Sequence, residues 1–139
     1  VVRLLVERDL PWLHLLFEKR YPGYDSATTE RWFLNVVTRD PLNLYAARTD
    51  DAFLVAMNVV LPWTPSDPEV NIVAICADDG AGWQVVRLLR ASIEWARKRN
   101  ASKWRLTSDT MFDVWAIADR VGAKIIRPRY ELNLREDAP

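Results

Sequence analysis

The chain has 139 residues, enough for one domain that buries roughly 70% of the surface its unfolded chain exposes. Nineteen basic and nineteen acidic side chains cancel, so no net charge directs the chain to nucleic acid or to an anionic membrane. A single cysteine, Cys76, rules out a disulfide scaffold and a structural zinc site, and fits a reducing, cytoplasmic setting. No apolar run approaches 18 residues, and neither a signal peptide nor an internal repeat is visible.

In chain order, Val1 to Val6 (VVRLLV) is a strand and Glu7 to Leu10 turns it into a helix. Asp9 is expected to cap that helix, and Pro11 suits its first turn, where no intrahelical N–H is needed. Leu10, Leu13, Leu16 and Phe17 form its buried face, and His14, the one histidine, borders that face as a structural imidazole. The turn formers of Tyr21 to Ala27 follow. Ser26 or Thr28 is then expected to cap a second helix, Glu30 to Val37, which Asp40 and Pro41 end.

Asn43 to Ala47 and Ala52 to Leu61 read as an antiparallel hairpin reversing through Thr49, Asp50 and Asp51. The proline-rich stretch Pro62 to Pro68 is irregular, and its Trp63 is expected to cover the sheet edge rather than line a cleft. Glu69 to Ala77 (EVNIVAICA) is β-branched and apolar between acids, hence a buried strand. Period-two alternation puts Glu69, Asn71, Val73 and Ile75 on one face.

Asp78 to Trp83 (DDGAGW) is a turn, and Gln84 to Arg99 an amphipathic helix whose apolar side carries Val85, Val86, Leu89, Ile93 and Ala96. Arg87, Arg90, Arg97 and Lys98 interleave with Glu94 as a solvated face rather than a nucleic-acid surface. Asn100 ends the helix in the left-handed conformation. Strand Lys103 to Thr107, helix Phe112 to Val121 and a strand from Lys124 to Leu134, bent at Pro128, complete the chain. A strand that feeds a helix through small residues leaves the helix's first amides open to an anion; Asp79 could instead place its own carboxylate there as a cap.

This order of elements resembles the GNAT family of acyl-CoA-dependent N-acetyltransferases over essentially the whole chain. The resemblance is carried by "VRLLVERDLPWL" (Val2 to Leu13), "IEWARKRNASKWRLTSD" (Ile93 to Asp109) and "ADRVGAKIIRPRYELNL" (Ala118 to Leu134). It implies an α/β (α+β) fold: a mixed central sheet, antiparallel N-terminal strands, helices on both faces, and splayed fourth and fifth strands. It also implies acetyl-CoA as co-substrate, a primary amine as acceptor, and amine access between the first two helices and the loop around Trp63.

In that family the loop before the third helix carries Gln or Arg, two free positions, Gly, any residue, then Gly or Ala. Gly80, Ala81 and Gly82 match the small positions, and Ala77 stands where the polar residue would be. The implied cofactor residues are Ile75, Cys76, Ala77, Gly80, Ala81, Gly82, Trp83, Gln84 and Val85. Thr107 and Ser108 would border the same slot. Glu69 falls at the family's glutamate base. The usual thiolate-protonating tyrosine corresponds to Ala118 and a nearby asparagine to Met111, so Tyr130 or Ser108 is the substitute acid, with Tyr24 a further candidate.

The missing positions look more like a short, divergent viral (phage) type than a well-kept bacterial enzyme. They leave open an alternative, a GNAT-like binding or structural module that has lost catalysis and pairs as a homodimer through its closing strand. Cys76 is a small buried residue rather than a nucleophile.

Overall fold

The computed structural model describes residues 1–106 and 119–124, together with Leu132 and Leu134. Among the described residues five strands form one sheet in chain order: β1 (Arg3–Leu4), β2 (Leu44–Arg48), β3 (Ala52–Val59), β4 (Glu69–Ala77) and β5 (Lys103–Arg105). The first four pair antiparallel, and β4 and β5 pair parallel. Helices α1 (Leu10–Arg20) and α2 (Ser26–Trp32), the latter continued by a π-helical turn at Phe33–Val37, cover one face, and α3 (Gly82–Lys98) covers the other.

Two apolar layers hold the sheet. On the α3 side, Val85, Leu88, Leu89 and Ala96 pack against Leu54, Ala56, Val70, Ile72, Ile75 and Ala77. Opposite, Leu10, Leu13, Leu16 and Phe33 pack against Leu44, Ala46, Phe53, Val55 and Cys76. Central strand β3 is buried from Ala52 to Ala56 because it lies between both layers. Ser92, fully buried in α3, donates to the Leu89 carbonyl at 2.7 Å and accepts from the Trp104 indole at 2.9 Å, which fastens β5 to the helix.

Several sequence expectations change. Asp9 does not cap α1. Its carboxylate is buried, taking two hydrogen bonds from Arg3 at 2.6 and 2.8 Å, one from Arg48 at 3.1 Å and one from the Val6 amide at 2.9 Å. The second helix starts at Ser26 rather than Glu30, because Asp25 accepts from the Thr28 amide at 2.9 Å and is the cap. Trp63 is 77% exposed, so it does not cover the sheet edge.

The assumed common face of Glu69, Asn71, Val73 and Ile75 is broken by a β-bulge. Val55 pairs with Ala74 but Ala56 with Ile72, so Val73 is the extra residue and alternation shifts by one across it. Ile72 and Ile75 therefore both face α3, whereas Ala74 and Cys76 face α1 with Glu69 and Asn71. The expected last helix and closing strand, with Thr107, Ser108, Met111, Ala118 and Tyr130, lie outside the described residues apart from a few positions.

Candidate functional site

The site is built at the carboxyl end of β4. The β4–β5 ladder joins Glu69, Val70 and Asn71 to Lys103, Trp104 and Arg105, and among the described residues no strand pairs with β4 on that side from Ile72 to Ala77, where the chain turns into α3. Val73, the bulge residue on this stretch, is 45% exposed.

At the turn, Asp78 donates its amide to the Asp51 carbonyl at 2.8 Å, and Ala81 donates to Asp78 at 3.2 Å. Gly80 takes a φ of +77°, a conformation that disfavours any side chain, and no atom of the described residues lies within 4 Å of where a Cβ would stand on Gly80 or Gly82. The first intrahelical bond runs from the Val85 amide to Ala81. The amides of Gly82, Trp83 and Gln84 thus have no carbonyl within the helix, and no side chain among the described residues caps them. Small residues, open space and an uncapped amide cluster fit a diphosphate.

Asp79 does not occupy this position. Its carboxylate turns to α1, accepting from the Arg20 guanidinium at 2.6 Å. Lys19 donates to Asp78 and lies 3.7 Å from Asp79. The hydrogen bond from Lys19 is the main cause holding the Asp78 carboxyl below its ordinary range, and the same bond raises the Lys19 ammonium. The two acids are thereby neutralised by two bases that reading the sequence did not connect with the loop.

Among the residues expected to meet a cofactor, Gly80, Gly82 and Trp83 are exposed, while Ile75, Cys76, Ala77, Ala81 and Val85 have buried side chains and offer only backbone. The Gln84 side chain is engaged elsewhere: its Oε1 accepts from Thr49 Oγ1 at 2.6 Å and the Asp51 amide at 2.8 Å, and its Nε2 donates to Asp51 at 3.0 Å. Trp83 carries the Arg120 guanidinium over its ring, 4.5 Å from the centroid. Burial pushes the Cys76 thiol up to about 11, which keeps it protonated and unreactive as a nucleophile.

Glu69 stands at the other end of β4, eight steps from Ala77 and so roughly 25 Å away. Its carboxylate is bracketed by Arg105 at 3.1 Å and Lys103 at 3.7 Å. Asn71, on the same face, has a buried Oδ1 with no hydrogen-bond partner among the described residues. Tyr24 donates to the His14 carbonyl at 3.3 Å and its hydroxyl lies 2.7 Å from His14 Nδ1, so both side chains join α1 to the following loop. Neither Tyr130 nor Ser108 falls within the described residues. Among the described residues no cluster of His, Cys, Asp or Glu could hold a metal ion, and no helix is long and apolar enough to cross a membrane.

No family model matches the sequence, and no curated protein matches it. Solved structures do match. A Clostridium acetobutylicum protein described as a predicted acetyltransferase, solved with acetyl-CoA, superposes with a TM-score of 0.75 at 16% identity, covering 100% of this chain and 99% of its own. The fold is that of the GNAT-type acetyltransferases. A ribosomal-protein-alanine N-acetyltransferase from Brucella melitensis biovar Abortus 2308 gives a TM-score of 0.69 at 16% identity, covering 96% of this chain and 97% of its own. An aminoglycoside N-acetyltransferase in complex with CoA gives 0.73 at 13%, covering 96% and 93%. In this GNAT fold β4, which pairs parallel with β5 at Glu69 to Asn71, leads at its carboxyl end into the glycine turn before α3.

Proposed function

We propose that the chain is a GNAT-family N-acetyltransferase that moves an acetyl group from acetyl-CoA to a primary amine. The observation that carries this reading is the α3 N-terminus behind Gly80 and Gly82, uncapped among the described residues, at the carboxyl end of the strand that pairs parallel with β5. Backbone amides of residues 82–84 hold the diphosphate, and the carboxyl end of β4 receives the acyl arm. The amine nitrogen attacks the thioester carbonyl, the carbon–sulfur bond breaks, the amine gives up one proton, and the leaving thiolate takes one. Glu69 accepts the amine's proton through water, and the Asn71 Oδ1 beside it offers an acceptor to the amine's N–H. Tyr130 or Ser108 returns a proton to the thiolate. The structural neighbours solved with acetyl-CoA or CoA support the choice of donor.

A second reading, a module that binds without turnover, draws support from the two cations already paired with Glu69. Thermal melting with acetyl-CoA, and with pantetheine as the control lacking diphosphate, tests the first step. Ligand at about 100 times its dissociation constant stabilises by about 2.7 kcal/mol, which moves the melting point by roughly several degrees. A shift with acetyl-CoA but not pantetheine is expected, and no shift at millimolar acetyl-CoA rejects the reading. Turnover separates the two readings: Glu69→Gln should lower kcat and alter its pH profile while leaving acetyl-CoA affinity in place. An unaltered profile removes Glu69 from the chemistry.

A further inference from the structure

Resting on the acyl-CoA reading of the loop, we infer that Arg20 of α1 is a cation of the diphosphate site, and that Asp79 is the internal anion it holds until the diphosphate takes its place. The loop itself has no polar side chain at its leading position, because Ala77 is apolar and fully buried. Arg20 reaches the loop from a different element. Its guanidinium bonds Asp79 at 2.6 Å, one residue before Gly80 and its open space.

The two acids are held differently. Asp78 is fixed three ways: its carboxylate takes Lys19 and the Asp79 amide, and its own amide is given to Asp51. Asp79 is 78% exposed, and among the described residues its carboxylate is held by Arg20 and, at 3.7 Å, by Lys19 alone. Asp78 is therefore part of the turn, while Asp79 is a surface carboxylate free to swing.

Arg20 is poised the other way. It is 23% exposed, and its Nε is buried with no acceptor among the described residues. A guanidinium has five N–H donors in a fixed fork that matches phosphate, and the bond to Asp79 occupies one of them. A diphosphate on the α3 amides offers Arg20 more acceptors and more charge than one carboxylate does. Exchange also carries Asp79 away from an anion it would otherwise repel. Arg20 is thus a positioning and affinity residue for the acyl donor, supplied by the first helix.

Calorimetric titration with acetyl-CoA and with acetylpantetheine tests this on the wild type, Asp79→Asn, Arg20→Gln and Arg20→Lys. Asp79→Asn should bind acetyl-CoA about three- to tenfold more tightly, since it removes a competing and repelling carboxylate. Arg20→Gln should weaken acetyl-CoA by about ten- to a hundredfold, with Arg20→Lys between, because charge is kept and the fork is lost. Acetylpantetheine, which lacks the diphosphate, should be insensitive to all three. A wild type that binds acetyl-CoA while Asp79→Asn binds no more tightly, or Arg20→Gln no less tightly, overturns the exchange and leaves the loop reading standing. A wild type that binds acetylpantetheine as tightly as acetyl-CoA, or binds neither, overturns both. Unchanged melting points of the free variants show that their folds are intact.

Discussion

Asp9 carries a full charge inside the protein at 4% exposure. The paired hydrogen bond from Arg3 comes first among the causes that hold its carboxyl down to about 2, and the Val6 amide and the charges of Arg3 and Arg48 add to it against the opposing effect of burial. The folded value lies below the ordinary 3.8, so the native state gains stability wherever the unfolded chain has already lost this proton. That gain, roughly 2 kcal/mol, is complete above about pH 5 and disappears as pH falls through 4 toward 2. Asp9→Asn should cost about 2–4 kcal/mol at pH 7, and urea denaturation should show its deficit against wild type shrinking toward pH 2. A deficit constant with pH would mean that Asp9 acts through packing alone. The two loop glycines differ in kind. Gly80→Ala should destabilise by about 1 kcal/mol because of its φ, whereas a bulky residue in place of Gly82, as in Gly82→Leu, should melt close to wild type and lose acetyl-CoA affinity.

At the scale of elements, β4 was legible to the residue, since a β-branched apolar run between Pro68 and Asp78 has one period and clear ends. The stripe of α3 was legible at Val85, Val86, Leu89 and Ala96, though Leu88 and Ser92 are buried with them and Ile93 only partly, and Asn100 ends the helix with φ of 55° as the sequence suggests. The Val73 bulge was not, because it arises from how β3 and β4 pair and leaves no mark on either strand alone. Asp9 reads locally as a helix cap, and only Arg48, 39 residues away, reveals another use. The same holds for Arg20 and Asp79, separated by 59 residues: Asp79 reads locally as a possible cap of α3, and only the pairing with Arg20 shows where its carboxylate goes. Gln84 reads as the first residue of a helix beside an anion site, yet its amide joins α3 to the β2–β3 turn through three hydrogen bonds. Gln84→Ala should therefore cost about 1–3 kcal/mol in chemical denaturation, partly by leaving Thr49 and Asp51 without partners. No loss would show that the β2–β3 turn holds its shape without α3.

Across the whole molecule, the loop between β4 and α3 is fixed from two sides. The β2–β3 turn grips it through the Asp51 carbonyl and Gln84, and α1 grips it through Lys19 and Arg20. One of these attachments is neutral and the other ionic, so added salt weakens only the second. Cys76 lies under the ionic one, 1% exposed on the face of β4 that α1 covers. Its thiol is both protonated and sealed, and it is the only cysteine in the chain. Alkylation by a reagent such as iodoacetamide therefore has to wait until the α1 layer lifts from the sheet, which makes the rate of labelling a clock for that opening, read without any engineered probe.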